Sequence, residues 1–589
     1  MRIVLVNWAK VWDGASHGGG VNGYCQALAH ELHTLGHEVS YLCSGTTYVS
    51  PPAECVIRRH DDWLGVRVFE VINSPVIAPS LPQFRDPLAE ISAPELEARL
   101  DELFARVRPD VVHWHNIEGF TAGCVAAATR AGARNFFSLH NYHTLCPQVY
   151  FMQGHRNACH DSRGGRACVG CIDAPAPASE RARLAAQYAA RNPPPRCEPI
   201  PTPREQARLA WQDFRAHAGW PWRAGKALVR TLALTARALT DPPVAPLAQP
   251  TPPLPGNAIA QDRAELAPQP PPGKDLRGKT QYFLSQNEPR WVPDMSDPER
   301  KPLLNVIQPD PPHPDGPNEY GARRAAMVRM LNSCDRVLAV SDFVRRKFES
   351  MGVRPDVIRA VTIGTRINRI VARTPELAFA PPPIDPAAPR PIRLVFMGYN
   401  NYYKGLSMFV ESLEMLDATD LARLDLAIFA LDGQTIEWMF RRMEPRLARL
   451  TFSTGYEHHD IPWLLGGRDL GVVPSVWWDN APQTVMEFQA CGLPVLGAEL
   501  GGIPDFVRDG HNGILFRGND REDLARKLRS LIRDPARLND LRRNVRPPKS
   551  IDDHARELVA QYEEVARAAP PLPPVTSVPT ANRGTPSPA

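Results

Sequence analysis

Two acids separated by seven residues, Asp479 and Glu487, bracket the segment Asp479-Asn480-Ala481-Pro482-Gln483-Thr484-Val485-Met486-Glu487. Pro482 suits the first turn of a helix, whose free amides then face outward from its start. An acid in the loop before such a helix and an acid two turns along it can each accept hydrogen bonds from hydroxyls. The helix amides suit a sugar or phosphate oxygen. The same spacing also fits a loop acid that caps the helix and a second acid on a solvated face. Lys404, in Gly398-Tyr399-Asn400-Asn401-Tyr402-Tyr403-Lys404-Gly405, stands just before an expected helix start. Its charge opposes the helix dipole there unless an anion is held, so it could clamp a diphosphate; the plainer reading is an exposed lysine beside a glycine. Gly18-Gly19-Gly20 would let backbone approach a ligand closely, or form a flexible loop and nothing more.

Cys146, Cys159, Cys168 and Cys171 fall as C-x12-C-x8-C-x2-C, with His143, His155 and His160 close by. Four thiolates would make a closed structural zinc site. A zinc ribbon normally has two C-x2-C knuckles and this segment has one, so zinc, reduced thiols and a disulfide all stay open.

These residues need elements to position them. Short β-rich runs alternate with amphipathic helical stretches, the pattern of parallel sheets with crossover helices. Strand Ile3 to Val6 leads into the glycine run and a helix with Leu28, Leu32 and Leu35 on one face. Strands follow at Glu38 to Cys43, Asp110 to Trp114, Asn135 to Leu139 and Arg336 to Val340, the last leading to a helix from Asp342 capped by Ser341. A second set comprises Ile392 to Met397, Leu424 to Ala430, Leu450 to Phe452, Leu470 to Pro474 and Leu493 to Gly497. The expected fold class is α/β, with two Rossmann-like doubly wound domains whose ligands sit outside the carboxyl ends of the strands.

Proline interrupts this pattern. Of 62 prolines, roughly half lie between Pro175 and Pro317, a composition that cannot sustain helix ladders or bury much apolar area. The expected division is an N-terminal domain at 1–173, a Pro-rich, largely irregular insertion at 174–316 with short helices near 180–191 and 204–240, and a return of the N-terminal domain at 317–356. A C-terminal domain at 357–545, a helix at 546–569 and a disordered tail at 570–589 follow.

The net charge of +4 gives no long-range pull toward nucleic acid or anionic membrane. Arg2 to Val6 is too short for a signal segment, and Ala227 to Leu239 is broken by Arg230 and Arg237, so no transmembrane segment and a cytoplasmic setting are expected. Peripheral membrane contact stays open.

With these residues in place, the chain resembles glycosyltransferase family 4, the retaining transferases of the GT-B fold. Asp479 to Glu487, with the trailing Ala-Cys-Gly-Leu-Pro-Val, is similar to the family's acid-x7-acid signature. Cys334 to Ser341 resembles the strand and serine that end the N-domain. Ser138-Leu139-His140-Asn141-Tyr142 resembles the strand end bearing the active-site histidine, and Gly501-Gly502 the downstream glycine pair. The resemblance implies two domains facing across a cleft, acceptor side first and nucleotide-sugar side second, with a C-terminal helix that crosses back to brace the N-domain. It implies that Glu487 holds the ribose hydroxyls, Asp479 the hydroxyls of the donor sugar and Lys404 the diphosphate, with His140 beside the transferred sugar. Gly19, Gly20, Asn480, Thr484 and Val485 would complete the donor site.

Two departures stand out. The first acid is usually Glu and here is Asp, one methylene shorter, and the arginine that often accompanies the lysine is replaced by Tyr399. The implied reaction retains anomeric configuration without a metal ion or other catalytic cofactor, and the sequence contains no Asp-x-Asp pair to hold one on a diphosphate. The implied partners are a nucleotide diphosphate sugar and a glycan, lipid-linked or small-molecule acceptor. A sugar-nucleotide epimerase or hydrolase of the same fold, and a catalytically weak binding protein, are the alternative readings.

Overall fold

The computed structural model describes residues 1–50, 54–155, 157–192, 302–374 and 381–568. The expected helix near 204–240, the apolar run at 227–239 and the tail from Pro570 lie outside them.

Two parallel sheets organise the chain. The first contains β1 (Arg2–Val6), β2 (Glu38–Thr47), β3 (Val56–Arg59), β4 (Arg67–Ile72), β5 (Val111–Trp114) and β6 (Arg134–Leu139). A small antiparallel hairpin, β7 (Met152–Gln153) with β8 (Asn157–Ala158), stands apart, and β9 (Arg336–Ala339) and β10 (Ile358–Ala360) complete the first sheet. Its order is β10-β9-β6-β5-β1-β2-β4-β3, parallel except for the β3–β4 edge. The second sheet holds β11 (Ile392–Tyr399), β12 (Leu424–Leu431), β13 (Arg449–Ser453), β14 (Leu470–Val473), β15 (Val495–Ala498) and β16 (Gly513–Phe516), in the all-parallel order β13-β12-β11-β14-β15-β16. This is the expected pair of Rossmann-like, doubly wound domains. Strand order reverses at β1 in one sheet and at β11 in the other, so the crevices open at the loops after β1, β5, β11 and β14.

The central strands are buried on both faces, which is why they read as continuous apolar runs. The sequence reading missed β4, a mostly buried strand inside the first sheet, and several shorter or more exposed strands. β3 is a partly exposed edge strand with two arginines, and β10 and β16 are only three and four residues long. β10 lies beyond the expected division at 356, yet it pairs with β9 in the first sheet.

The short helix expected near 180–191 is present, and what differs from expectation is that both ends of the proline-rich stretch pack onto the domains. Helix Pro177–Arg191 begins with a proline, whose missing amide costs nothing at that position, and buries Ala185 against Tyr48 and Ile77. Residues 303–310 run along the second domain and onto the first, with Leu303 bridged to Gly518.

The C-terminal helix, Ile551–Ala568, packs on helix Gly19–Thr34. Tyr24 Oη lies 2.8 Å from His554 Nε2, and Tyr562 Oη lies 2.6 Å from His113 Nδ1. Arg336 on β9 pairs with Glu564 at 2.9 Å. The helix thus ties the end of the chain to the N-terminal sheet. No described helix is long and apolar enough to cross a membrane.

Candidate active site

The loops after β11 and β14 meet because of one glycine. Asn401 accepts the Lys404 amide at 3.1 Å and closes the turn Tyr402–Lys404. Gly405 follows at φ +69°, and a Cβ there would sit 1.7 Å from the Pro474 carbonyl oxygen. Only glycine permits that approach. Lys404 Nζ then donates to Asp479 Oδ2 at 3.0 Å, and Ser475 Oγ donates to the same oxygen at 3.4 Å. The sequence reading gave these two residues separate ligand groups; the structure joins them as a partly buried ion pair. Behind Asp479, Gly502 donates its amide to the Asp479 carbonyl at 2.7 Å, and a Cβ on Gly501 would lie 2.2 Å from that same oxygen. The glycine pair therefore gives the acid its backbone support.

Helix Gln483–Ala490 starts at the cleft, with Pro482 as the residue before its first turn. Gln483 donates its side-chain amide to the Gly20 carbonyl at 2.8 Å, so the two domains touch at this point. Gly18 and Gly19 both have positive φ and lead into helix Gly19–Thr34. Asn22 shapes the loop that delivers them: its buried amide lies 2.8 Å from the carbonyls of Lys10, Gly14 and His17. In the first turn Thr484 is half-buried and Val485 is buried. Asn480 is buried with no hydrogen-bond partner on either side-chain polar atom. An unmet buried amide costs about 1–3 kcal/mol, which a bound hydroxyl would relieve. Glu487 is buried about one turn along the helix, with His458 Nε2 3.5 Å from its carboxylate. Burial, followed by the charge of Glu487 and the proximity of Tyr399, pushes the Tyr456 phenol well above its usual range. Glu487, His458, Tyr456 and Tyr399 thus lie close together.

On the first domain, His140 follows β6 and its Nε2 lies 3.2 Å from His115 Nδ1. The Tyr24 ring stands 4.9 Å away. Burial, with His554 adding a little, pushes the His140 pKa down to about 3, so its imidazole is neutral at physiological pH. Its hydrogen bonding is therefore that of a polar neutral ring, suited to a sugar hydroxyl.

The cysteine segment crosses toward the second domain. Tyr150 stacks on Tyr403 at 3.8 Å, and His155 hydrogen-bonds the Tyr403 hydroxyl. Burial and the neighbouring Cys146 push the thiols of Cys159 and Cys168 up to about 12. Cys171 accepts the Gly154 amide at 3.2 Å. Every described cysteine is free. Among the described residues no group of three or more His, Cys, Asp or Glu side chains could hold a metal ion. Cys146, Cys159, Cys168 and Cys171 lie in one loop, close enough for their thiols to raise one another's pKa. His143 is occupied elsewhere, 2.9 Å from Glu90 in a buried cluster with Arg323.

Sequence reasoning missed Asn22, His115, Gln483, His458 and Tyr403 as members of this site. Gln483 lay inside the acid-acid segment and was within reach. The others are single polar residues whose surroundings come from distant segments.

Residues 18–165 match a family model described as Glycosyltransferase Family 4, and residues 384–547 match one described as Glycosyl transferases group 1. Together the two matches take in more than half of the chain. A D-inositol 3-phosphate glycosyltransferase of Streptomyces bingchenggensis is 54% identical over 70 residues, 12% of this chain and 15% of that protein. One from Rhodococcus opacus is 28% identical over 247 residues, 40% of this chain and 52% of that protein. The chain thus spans about half or less of the length of these curated relatives. A solved sucrose-phosphate synthase from Thermosynechococcus elongatus superposes with a TM-score of 0.50 at 12% identity, covering 97% of this chain and 100% of that one. At that identity the likeness concerns the fold.

Proposed function

From a chain that belongs to the family 4 glycosyltransferases, with the group 1 domain as its second half, we propose a retaining transferase that moves a hexose from a nucleotide diphosphate sugar to an acceptor hydroxyl. The observation that carries this reading is the Lys404–Asp479 pair beside the start of helix Gln483–Ala490, with Glu487 about one turn along and Gly20 facing its first residue. Glu487 accepts the ribose hydroxyls, Asp479 and Asn480 bond the hydroxyls of the sugar, and Lys404 turns to the diphosphate.

The acceptor oxygen bonds the anomeric carbon on the face from which the phosphate oxygen departs, and the acceptor proton passes to that phosphate. Asp479 is held by Lys404 and Ser475, which orients its carboxylate to accept hydrogen bonds rather than to attack carbon. Lys404 and the helix amides stabilise the charge that develops on the leaving diphosphate. We take the reaction to need no metal ion, because the sequence lacks an Asp-x-Asp pair and a lysine already stands at the diphosphate position. A cytoplasmic setting belongs to the same proposal and agrees with the free cysteines.

The test is product formation by the full chain with a panel of nucleotide sugars, with and without acceptors. D-inositol 3-phosphate is included because similar proteins are named for it. Product that requires both donor and acceptor is the expected result. Turnover of donor alone would favour the epimerase or hydrolase reading, and nucleotide binding without turnover the binding-protein reading.

A further inference from the structure

Residues 303–310 form a strap that bonds both domains and passes directly behind the acid loop. At one end Leu303 donates its amide to the Gly518 carbonyl at 2.8 Å in the second domain. At the other, Asp310 accepts the Ser162 amide at 2.8 Å and pairs with Arg324 in the first. Between them Lys347 donates to the Val306 carbonyl at 3.4 Å, and Ser350 to the Gln308 carbonyl at 3.1 Å.

The middle of the strap bonds the Trp478 side chain, next to Asp479, and the backbone of Gly501, which packs on Asp479. The Leu304 carbonyl accepts the Trp478 indole N–H at 3.0 Å. The Trp478 ring is buried against the first domain, 4.8 Å from Lys347 Nζ and 5.5 Å from the His160 ring. Asn305 makes a two-point contact with Gly501: its oxygen accepts the Gly501 amide at 2.7 Å, and its nitrogen lies 3.3 Å from the Gly501 carbonyl. Gly501 in turn presses on the Asp479 backbone, and Gly502 bonds the Asp479 carbonyl at 2.7 Å. A carboxamide matched to one residue's amide and carbonyl fixes that residue in two directions, which a lone hydrogen bond does not.

We propose that Asn305 is a positioning residue of the transfer site: by clamping Gly501 it sets where the Asp479 carboxylate stands, and the strap 303–310 couples that placement to the relative position of the two domains. The inference rests on the reading that Asp479 meets the donor sugar. A misplacement of the acid by a fraction of an ångström weakens contacts that tighten in the transition state, so the effect falls on turnover before it falls on nucleotide affinity.

The experiment uses the full chain and its Asn305→Ala, Asn305→Asp and Gln308→Ala variants. Turnover is measured with the nucleotide sugar the parent prefers, and calorimetric binding with UDP, ADP and GDP. Asn305→Ala is expected to lower kcat about tenfold while the Kd for the nucleoside diphosphate stays within about twofold. Asn305→Asp keeps the acceptor for the Gly501 amide and is expected to recover part of the loss. Gln308→Ala removes a strap contact to the His160 carbonyl but leaves the Asn305 clamp in place, and is expected to lower kcat by less than Asn305→Ala does. Where Asn305→Ala unfolds, Asn305→Asp decides by the same split. An Asn305→Ala protein with parental kcat, or with turnover and affinity lost in equal measure, overturns the inference alone. A parent that binds no nucleoside diphosphate and turns over no nucleotide sugar overturns the glycosyltransferase reading, and this inference with it.

Discussion

Lys404 and Asp479, 75 residues apart, hold each other at 3.0 Å across the mouth of the cleft. Under the proposed function the lysine turns from this carboxylate to the diphosphate, an exchange that needs only rotation of its flexible stem. Lys404→Ala removes that cation and leaves Asp479 without its ionic partner. Charge on the leaving group grows toward the transition state, so kcat should fall about a hundredfold while nucleoside diphosphate affinity falls by less than tenfold. Steady-state kinetics beside calorimetric binding measures both; equal losses would place Lys404 in ground-state binding only.

Glu487→Gln preserves shape and removes charge. Hydrogen bonds to charged acceptors are worth about 1.5–3 kcal/mol, so nucleotide affinity should weaken between a few-fold and about a hundredfold. Calorimetric titration of the variant with nucleoside diphosphates tests this. Parental affinity would remove Glu487 from the nucleotide site.

Asp479→Glu restores the residue usual in the resembled family and lengthens the acid by one methylene. The preferred donor sugar should change, with affinity for the free nucleotide nearly unchanged. A donor panel run on both proteins compares the preferences, and an identical ranking would show that Asp479 does not read the sugar.

Tyr562→Phe removes a buried hydrogen bond to His113, whose other ring nitrogen lies 2.8 Å from Ser138. Burial holds the His113 pKa well below its usual value, so the ring cannot gain a proton to compensate. The loss of an internal partner should cost about 1–3 kcal/mol of unfolding free energy. Urea denaturation of the full chain measures it. No change would mean that water replaces the phenol.

Acid stability should depend on Glu90. Burial alone would raise its pKa, but Arg323 and His143 outweigh burial and hold it at about 2, against 4.5 for the free side chain. The folded pKa is depressed, so the carboxylate's contribution is fully present above pH 4.5 and is lost as pH falls toward 2. Unfolding free energy should therefore drop more steeply between pH 4.5 and 2 in the parent than in Glu90→Gln. Parallel curves would show that the cluster does not act through this carboxyl.

What the sequence determined by itself is what short stretches of chain encode. The alternation of buried strands and amphipathic helices sets two doubly wound sheets, because parallel strands covered on both faces must be apolar throughout. The seven-residue gap from Asp479 to Glu487 sets one acid in the loop before the helix and another inside it, because helix pitch is local. The tertiary structure alone decided the contacts between distant segments: Lys404 on Asp479, His115 on His140, His458 on Glu487, Asn305 on Gly501. Each is a single polar residue whose meaning depends on what folds against it. It also placed β10 in the first sheet and drew 303–310 into the site, although proline-rich surroundings suggested irregular chain. The cysteines mark the boundary most plainly: spacing nominates metal ligands, but only the path of the loop decides whether four sulfur atoms face one point.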